Sequence, residues 1–164
     1  MFFCIIHEIG HITVGLILKI KPEKIEIMPF GLKAYYNIDF REERIKEIFI
    51  TLAGPLTSLA LAVLCTQQQA IYSNILILIF NLIPIYPLDG GRIIKGILHI
   101  KLGDVEAENL IDKISYITMI IITIISSVAV YYYQNIAIFM VCIFLWLIVL
   151  QEKNAKTIAI FQGK

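Results

Sequence analysis

Apolar residues fall along this chain in blocks, and the blocks predict its elements. Five stretches are long and nearly free of charge: 1–18, 48–66, 71–88, 114–133 and 135–150. About 20 apolar residues cross a ~30 Å hydrocarbon core, and shorter runs can serve when they are tucked among other helices. The pattern predicts helix A at 1–18, B at 48–66, C at 71–83, D at 114–133 and E at 135–150. Between A and B, Pro29 and Gly31 punctuate two runs of β-type residues, 25–28 and 33–38, which predicts a hairpin. Residues 40–47, FREERIKE, read as a charged helical turn or two leading into B. QQQAIYSN is a short polar turn, and Pro84 and Pro87 bar a regular helix after C. A short basic helix is expected over 91–101, and GDVEAEN opens an amphipathic helix that feeds D. The expected fold is an all-α polytopic membrane bundle of about five transmembrane helices, with a short β-hairpin after the first. A transmembrane domain is expected over 1–152 and a short cytoplasmic tail over 153–164.

Composition supports a membrane setting. Of 164 residues, 59% are hydrophobic and 16% charged, with a mean hydropathy of +0.81; a soluble domain is nearer half apolar and a quarter charged. A net charge of +1 gives no ground for a nucleic-acid partner. The N-terminus lacks the basic segment of a secretory signal. Cys4, Cys65 and Cys142 lie in separate apolar runs and read as small buried side chains rather than disulfides. Threading five spans puts all 14 Lys and Arg on one side, and the opposite turns, 67–73 and 131–135, have none. The positive-inside rule makes the charged side cytoplasmic. Helix A then runs from outside to inside, and a further span is expected before the sequence begins.

The chemistry lies in CIIHEIGHITVG, residues 4–15. His7, Glu8 and His11 form H-E-x-x-H. On a helix, positions i and i+4 share a face one turn apart, so both imidazoles can bind one Zn²⁺ through bonds of about 2.0–2.1 Å. Glu8 lies about 100° round the helix, close enough to take a proton from a water at the metal and pass it to a leaving nitrogen. Ionisable groups at membrane depth are costly and point to function. A catalytic zinc takes a third protein ligand. His99 lies in a basic segment and reads as a surface residue, and Glu106, Glu108 and Asp112 read as solvated. Asp89, in NLIPIYPLDGG, is the better candidate. Pro84 and Pro87 hold that chain extended, and Gly90 and Gly91 let the backbone turn tightly. His7 lies about 18 Å from the cytoplasmic end of helix A, and helix C has travelled about as far from the opposite face by residue 83. Asp89 and the HEIGH turn can therefore lie at similar depth.

HEIGH, then AGP at 53–55, then NLIPIYPLDGGR at 81–92 resemble the site-2 protease family of intramembrane zinc metalloproteases, over essentially the whole chain. MPFG and PIYPLDGG are most similar to the sporulation subgroup, the stage IV sporulation protein FB type. The resemblance implies that His7, His11 and Asp89 ligate a single catalytic zinc and that Glu8 is general base and acid. It implies that Asn81 contacts the substrate backbone, and that Pro84, Pro87, Gly90 and Gly91 shape the loop carrying Asp89. Gly54 and Pro55 would let helix B pack closely, and the hairpin would accept an extended substrate by β-addition. Departures are Ser58 where the family often has Asn, and Leu32 where the subgroup often has a second glycine; both are expected to touch packing and the hairpin, not the metal. The subgroup's first transmembrane helix and its C-terminal nucleotide-binding domain have no counterpart in the sequence. The implied activity is endoproteolysis of a membrane-associated protein near the cytoplasmic leaflet, with a pro-sigma factor in sporulation as the subgroup's substrate. The implied surroundings are membrane lipid and inhibitory membrane proteins, in a bacterial cell membrane or the outer forespore membrane. Two other readings stay open at this stage: a metal or ion transporter whose path is lined by His7, Glu8, His11 and Asp89, and an inactive scaffold.

Overall fold

The computed structural model describes residues 2–20, 24–28, 31–35, 41–134 and 136–161, with side chains at 2–20, 44–134 and 136–154. Its elements are α1 (Phe2–Ile17), β1 (Lys24–Met28), β2 (Gly31–Tyr35), α2 (Arg41–Leu64), α3 (Gln68–Asn81), α4 (Asp89–Leu102), α5 (Asp104–Tyr133) and α6 (Ala137–Phe161). The expectation of about five spanning helices is corrected: among the described residues there are six helices, of which three are long and apolar enough to cross a membrane, at Arg44–Leu64, Asp104–Tyr133 and Ala137–Asn154. Phe2–Ile17 is apolar but shorter. α3 has 14 residues, about 21 Å of helix against a ~30 Å core, because Pro84 and Pro87 bar its continuation beyond Asn81.

Helix boundaries shift for local reasons. The charged turns expected over 40–47 run unbroken into helix B, α2 being continuous from Arg41 with Phe40 outside the described residues, and α5 likewise takes in the amphipathic segment from Asp104. α6 runs to Phe161, past the end expected near 150; QEKNAK contains neither Pro nor Gly and is rich in good helix formers. The second strand is corrected too. β1 and β2 pair antiparallel from Lys24↔Tyr35 to Met28↔Gly31, which places β2 ahead of the expected 33–38; residues 36–38 lie outside the described residues. Closing the ladder at Met28↔Gly31 fixes every later pair, because register in a hairpin follows from its turn.

α2 is the hub. It packs against α1, α3 and α4, while α5 packs against α4 and α6. α1 ends where Lys19 takes a left-handed backbone, φ 60°. The Ile20 amide donates to the Gly15 carbonyl at 2.9 Å and Lys19 to Leu16 at 3.1 Å, a Schellman closure that satisfies the last turn. The segment between α3 and α4 is pinned as a plug: Ile85 is fully buried with Met119 of α5 and Leu145 of α6, flanked by Phe80, Leu88 and Trp146. Its backbone is held as well, since the Tyr86 amide donates to the buried Ser115 hydroxyl at 3.0 Å.

At the charged end, Arg44 of α2 meets Asp104 of α5 at 2.8 Å, and Lys95 of α4 pairs with Glu108 of α5. His99 is drawn into this group. Its Nδ1 lies 2.6 Å from Asp104 Oδ1 and its side chain is 6% exposed, which corrects the expectation of a surface residue. Glu108, expected to be solvated, is half-buried between α4 and α5. The reason is that α4 packs against both α2 and α5, which brings His99 and Lys95 against Asp104 and Glu108, polar groups that a free basic segment would leave in water.

Gly90 and Gly91 open α4 against the plug. A Cβ on Gly90 would stand 2.3 Å from the Leu82 carbonyl oxygen, and one on Gly91 would stand 2.4 Å from the Ile85 carbonyl carbon. Both obstacles are backbone and cannot swing aside. On Gly96 the nearest atom is the Ile48 Cγ1 side-chain carbon at 2.8 Å, which can move. Gly90→Ala and Gly91→Ala should each lower stability by about 1–3 kcal/mol or more through overpacking, with Gly96→Ala milder. Thermal unfolding in detergent reads the difference; equal midpoints for all three would contradict the tight seat of the loop.

Candidate metal centre

Two helices and a loop bring the polar groups together. The i, i+4 spacing in α1 turns His7 and His11 onto one face, and both are buried, 2% and 5% exposed. That face meets α2 at Gly54. A Cβ there would stand 2.2 Å from His11 Nε2 and 2.6 Å from His7 Nε2, so only glycine leaves room for the two rings. Asp89, the first residue of α4, is 7% exposed. Its Oδ2 lies 3.0 Å from His7 Nε2 and 3.2 Å from His11 Nε2, and the two Nε2 atoms are 3.3 Å apart.

These separations fit a small tetrahedral cation. Ligand bonds of about 2.0–2.1 Å at tetrahedral angles set neighbouring donors about 3.3 Å apart. Two imidazole nitrogens and one carboxylate oxygen suit zinc, and would leave a fourth position for water. The outer nitrogens support the fit. His11 Nδ1 donates to the Ile50 carbonyl at 2.7 Å. That carbonyl can only accept, so the hydrogen of a neutral His11 sits on Nδ1 and its Nε2 lone pair points into the cluster. His7 Nδ1 lies 2.8 Å from Ser58 Oγ. Among the described residues, His7, His11 and Asp89 are the one group of three or more His, Cys, Asp or Glu placed to share an ion.

Glu8 is half-buried and stands outside the three. It lies within electrostatic reach of His11, Asp89, His7 and Arg92. Asn81 does not join the cluster: its Nδ2 donates to the Ile77 carbonyl of its own helix at 3.0 Å. Pro84 and Pro87 lie in the plug, with the Tyr86–Pro87 bond cis. His99, Glu106 and Asp112 also lie outside the group. A cleft of about 350 Å³ opens beside the plug, between Tyr86, Ser115 and Tyr116 on one side and Val149 and Glu152 on the other; it contains none of the three clustered residues.

Sequence reasoning missed four contributors. Ser58 was expected to touch packing alone, and this is corrected: it is fully buried against His7. The Ile50 carbonyl is backbone and leaves no mark on a sequence. Arg92, near Glu8, is paired with Glu47 at 3.8 Å, and Ser115 holds the plug. One signal was present: Ile50, Gly54 and Ser58 are spaced by four along helix B and so share one face.

Residues 66–125 match peptidase family M50. A zinc metalloprotease of Methanocaldococcus jannaschii is 27% identical over 165 residues, covering 92% of this chain and 47% of that protein. Stage IV sporulation protein FB of Bacillus subtilis is 27% identical over 110 residues, covering 57% of this chain and 37% of that protein. The chain thus spans about half or less of the length of these relatives. The solved site-2 protease from Methanocaldococcus jannaschii superposes with a TM-score of 0.70 at 26% identity, over 92% of this chain and 74% of that one. With three helices fit to cross a bilayer, this chain is an integral membrane protein, similar in sequence to peptidase family M50 over residues 66–125 and in fold to a site-2 protease.

Proposed function

We propose that the chain is an intramembrane zinc metalloendopeptidase that cleaves a membrane-associated protein near the cytoplasmic leaflet. The observation that carries this reading is the convergence of His7, His11 and Asp89 to within 3.3 Å inside an apolar bundle, with Glu8 beside them. His7 and His11 would hold zinc through Nε2 and Asp89 through Oδ2, giving one metal per chain. Zinc held there supplies a Lewis acid and acidifies a water. Glu8 takes the proton from the attacking water and passes it to the leaving amide nitrogen. Asn81 offers its amide to the substrate backbone, and Pro84, Pro87, Gly90 and Gly91 hold the loop that presents Asp89. A buried polar cluster needs a wet or protein-lined cavity at this depth, and hydrolysis needs the same access. The finer reading has the basic loops in the cytoplasm of a bacterial cell or forespore membrane. The substrate class follows the resemblance to stage IV sporulation protein FB: a pro-sigma factor, with release governed by inhibitory membrane proteins. The proposed boundary of the protease domain stays at residue 152, with 153–164 beyond it.

Glu8→Gln should lower cleavage of a co-expressed membrane-anchored substrate by about 10²–10⁴-fold while the purified protein keeps its zinc. Persistent cleavage would remove Glu8 from its role; zinc loss would make it a ligand instead. Gly54→Ala drives a methyl group against both Nε2 atoms. It should weaken zinc binding about 10-fold or more, read by chelator competition, with helix content unchanged by circular dichroism. A strong zinc chelator should abolish cleavage, and added zinc should restore it.

A further inference from the structure

The two ring nitrogens that face away from the cluster meet partners of different kinds. The Ile50 carbonyl facing His11 Nδ1 can only accept, which fixes the ring hydrogen of a neutral His11 on Nδ1. Ser58 Oγ, facing His7 Nδ1 at 2.8 Å, can both donate and accept. Ser58 is fully buried in α2, so bulk water does not compete for that bond.

We propose that Ser58 is the positioning residue for His7, and that its two-way hydroxyl lets His7 carry its single ring hydrogen on either nitrogen as zinc comes and goes. The proposal rests on the metalloprotease reading only in requiring that the cluster bind zinc. In the zinc-loaded protein the His7 Nε2 lone pair belongs to the metal. The hydrogen is on Nδ1 and is donated to Ser58 Oγ. In the metal-free protein, two bare Nε2 atoms and a carboxylate oxygen would crowd within 3.3 Å with no hydrogen among them. The His7 hydrogen then moves to Nε2 and is donated to Asp89 Oδ2, 3.0 Å away. Ser58 rotates its hydroxyl hydrogen toward Nδ1, which now accepts. His7 and Ser58 carry the same number of hydrogens in both states, so the exchange needs no net proton uptake. An acceptor-only partner at His7, like the one at His11, would not permit it. Ser58 therefore holds the ring in one orientation in either state and keeps the site satisfied before metal arrives.

The test uses the full chain purified in detergent. Zinc affinity is measured by competition with a chromophoric chelator for the wild type, Ser58→Ala and Ser58→Thr. Ring-nitrogen resonances are recorded by ¹⁵N-histidine NMR with and without zinc. Ser58→Ala should bind zinc about 10–100-fold more weakly, the usual loss when a partner of a metal-bound histidine is removed. Ser58→Thr, which keeps the hydroxyl, should recover most of it. Wild-type His7 should show its hydrogen on Nε2 without zinc and on Nδ1 with zinc, while His11 keeps Nδ1–H throughout. Unchanged affinity in Ser58→Ala, or a His7 hydrogen on Nδ1 in both states, overturns the proposal. If Ser58→Ala fails to fold, the wild-type NMR pair decides alone. A wild type that binds no zinc overturns the metal reading itself, and this proposal with it, and so is distinguishable from a wild type that binds zinc as Ser58→Ala does.

Discussion

Two imidazoles and a carboxylate have been placed inside an apolar bundle, and the rest of the structure is arranged around that cost. Burying such groups without partners is unfavourable by several kcal/mol each. Here each is met from more than one side. α2 contributes no group to the cluster, yet it supplies the Ile50 carbonyl, the Ser58 hydroxyl and the bare backbone at Gly54. Its hub position, against α1, α3 and α4 at once, puts these three features where both rings need them. Pro55 is tolerated inside α2; in an apolar setting neighbouring helices can re-satisfy the backbone groups that proline frees.

Asp89 reaches the rings because the chain before it cannot be a helix. Had α3 continued, residues 82–89 would have risen along its axis and carried Asp89 away. Instead the prolines end the helix, Ile85 drops into the pocket made by α5 and α6, and the two glycines let α4 start against the backbone of the plug. Ser115 and the Met119–Leu145 contact then make α5 and α6 part of the support for a residue they do not touch in the cluster.

The sequence made the polar members of the site legible because each stands alone in an apolar run: HEIGH in α1, and Asp89 beyond two prolines. The apolar blocks likewise located α1, α2, α3, α5 and α6, while α4 was read from its basic segment. Lengths were less legible. The last helix was read as ending near 150, but Gln151–Lys156 remain helical, since charged residues, unlike proline, cost a helix little. His99 was misjudged because burial at the ends of a bundle depends on which helix lies across them, and no local pattern carries that. Ser58 was visible as a hydroxyl in an apolar stretch, yet its partner sits 51 positions away. The Ile50 carbonyl was invisible in principle, since every residue has one.

That last asymmetry governs how this site tolerates sequence drift. Position 50 can change side chain freely, within the limits of packing, without removing the acceptor that His11 depends on, because the acceptor is main chain. Position 58 has no such insurance: the genetic steps that replace its serine with alanine or glycine remove the partner outright. Of two histidines with the same apparent role, one is anchored by the fold and the other by a single codon.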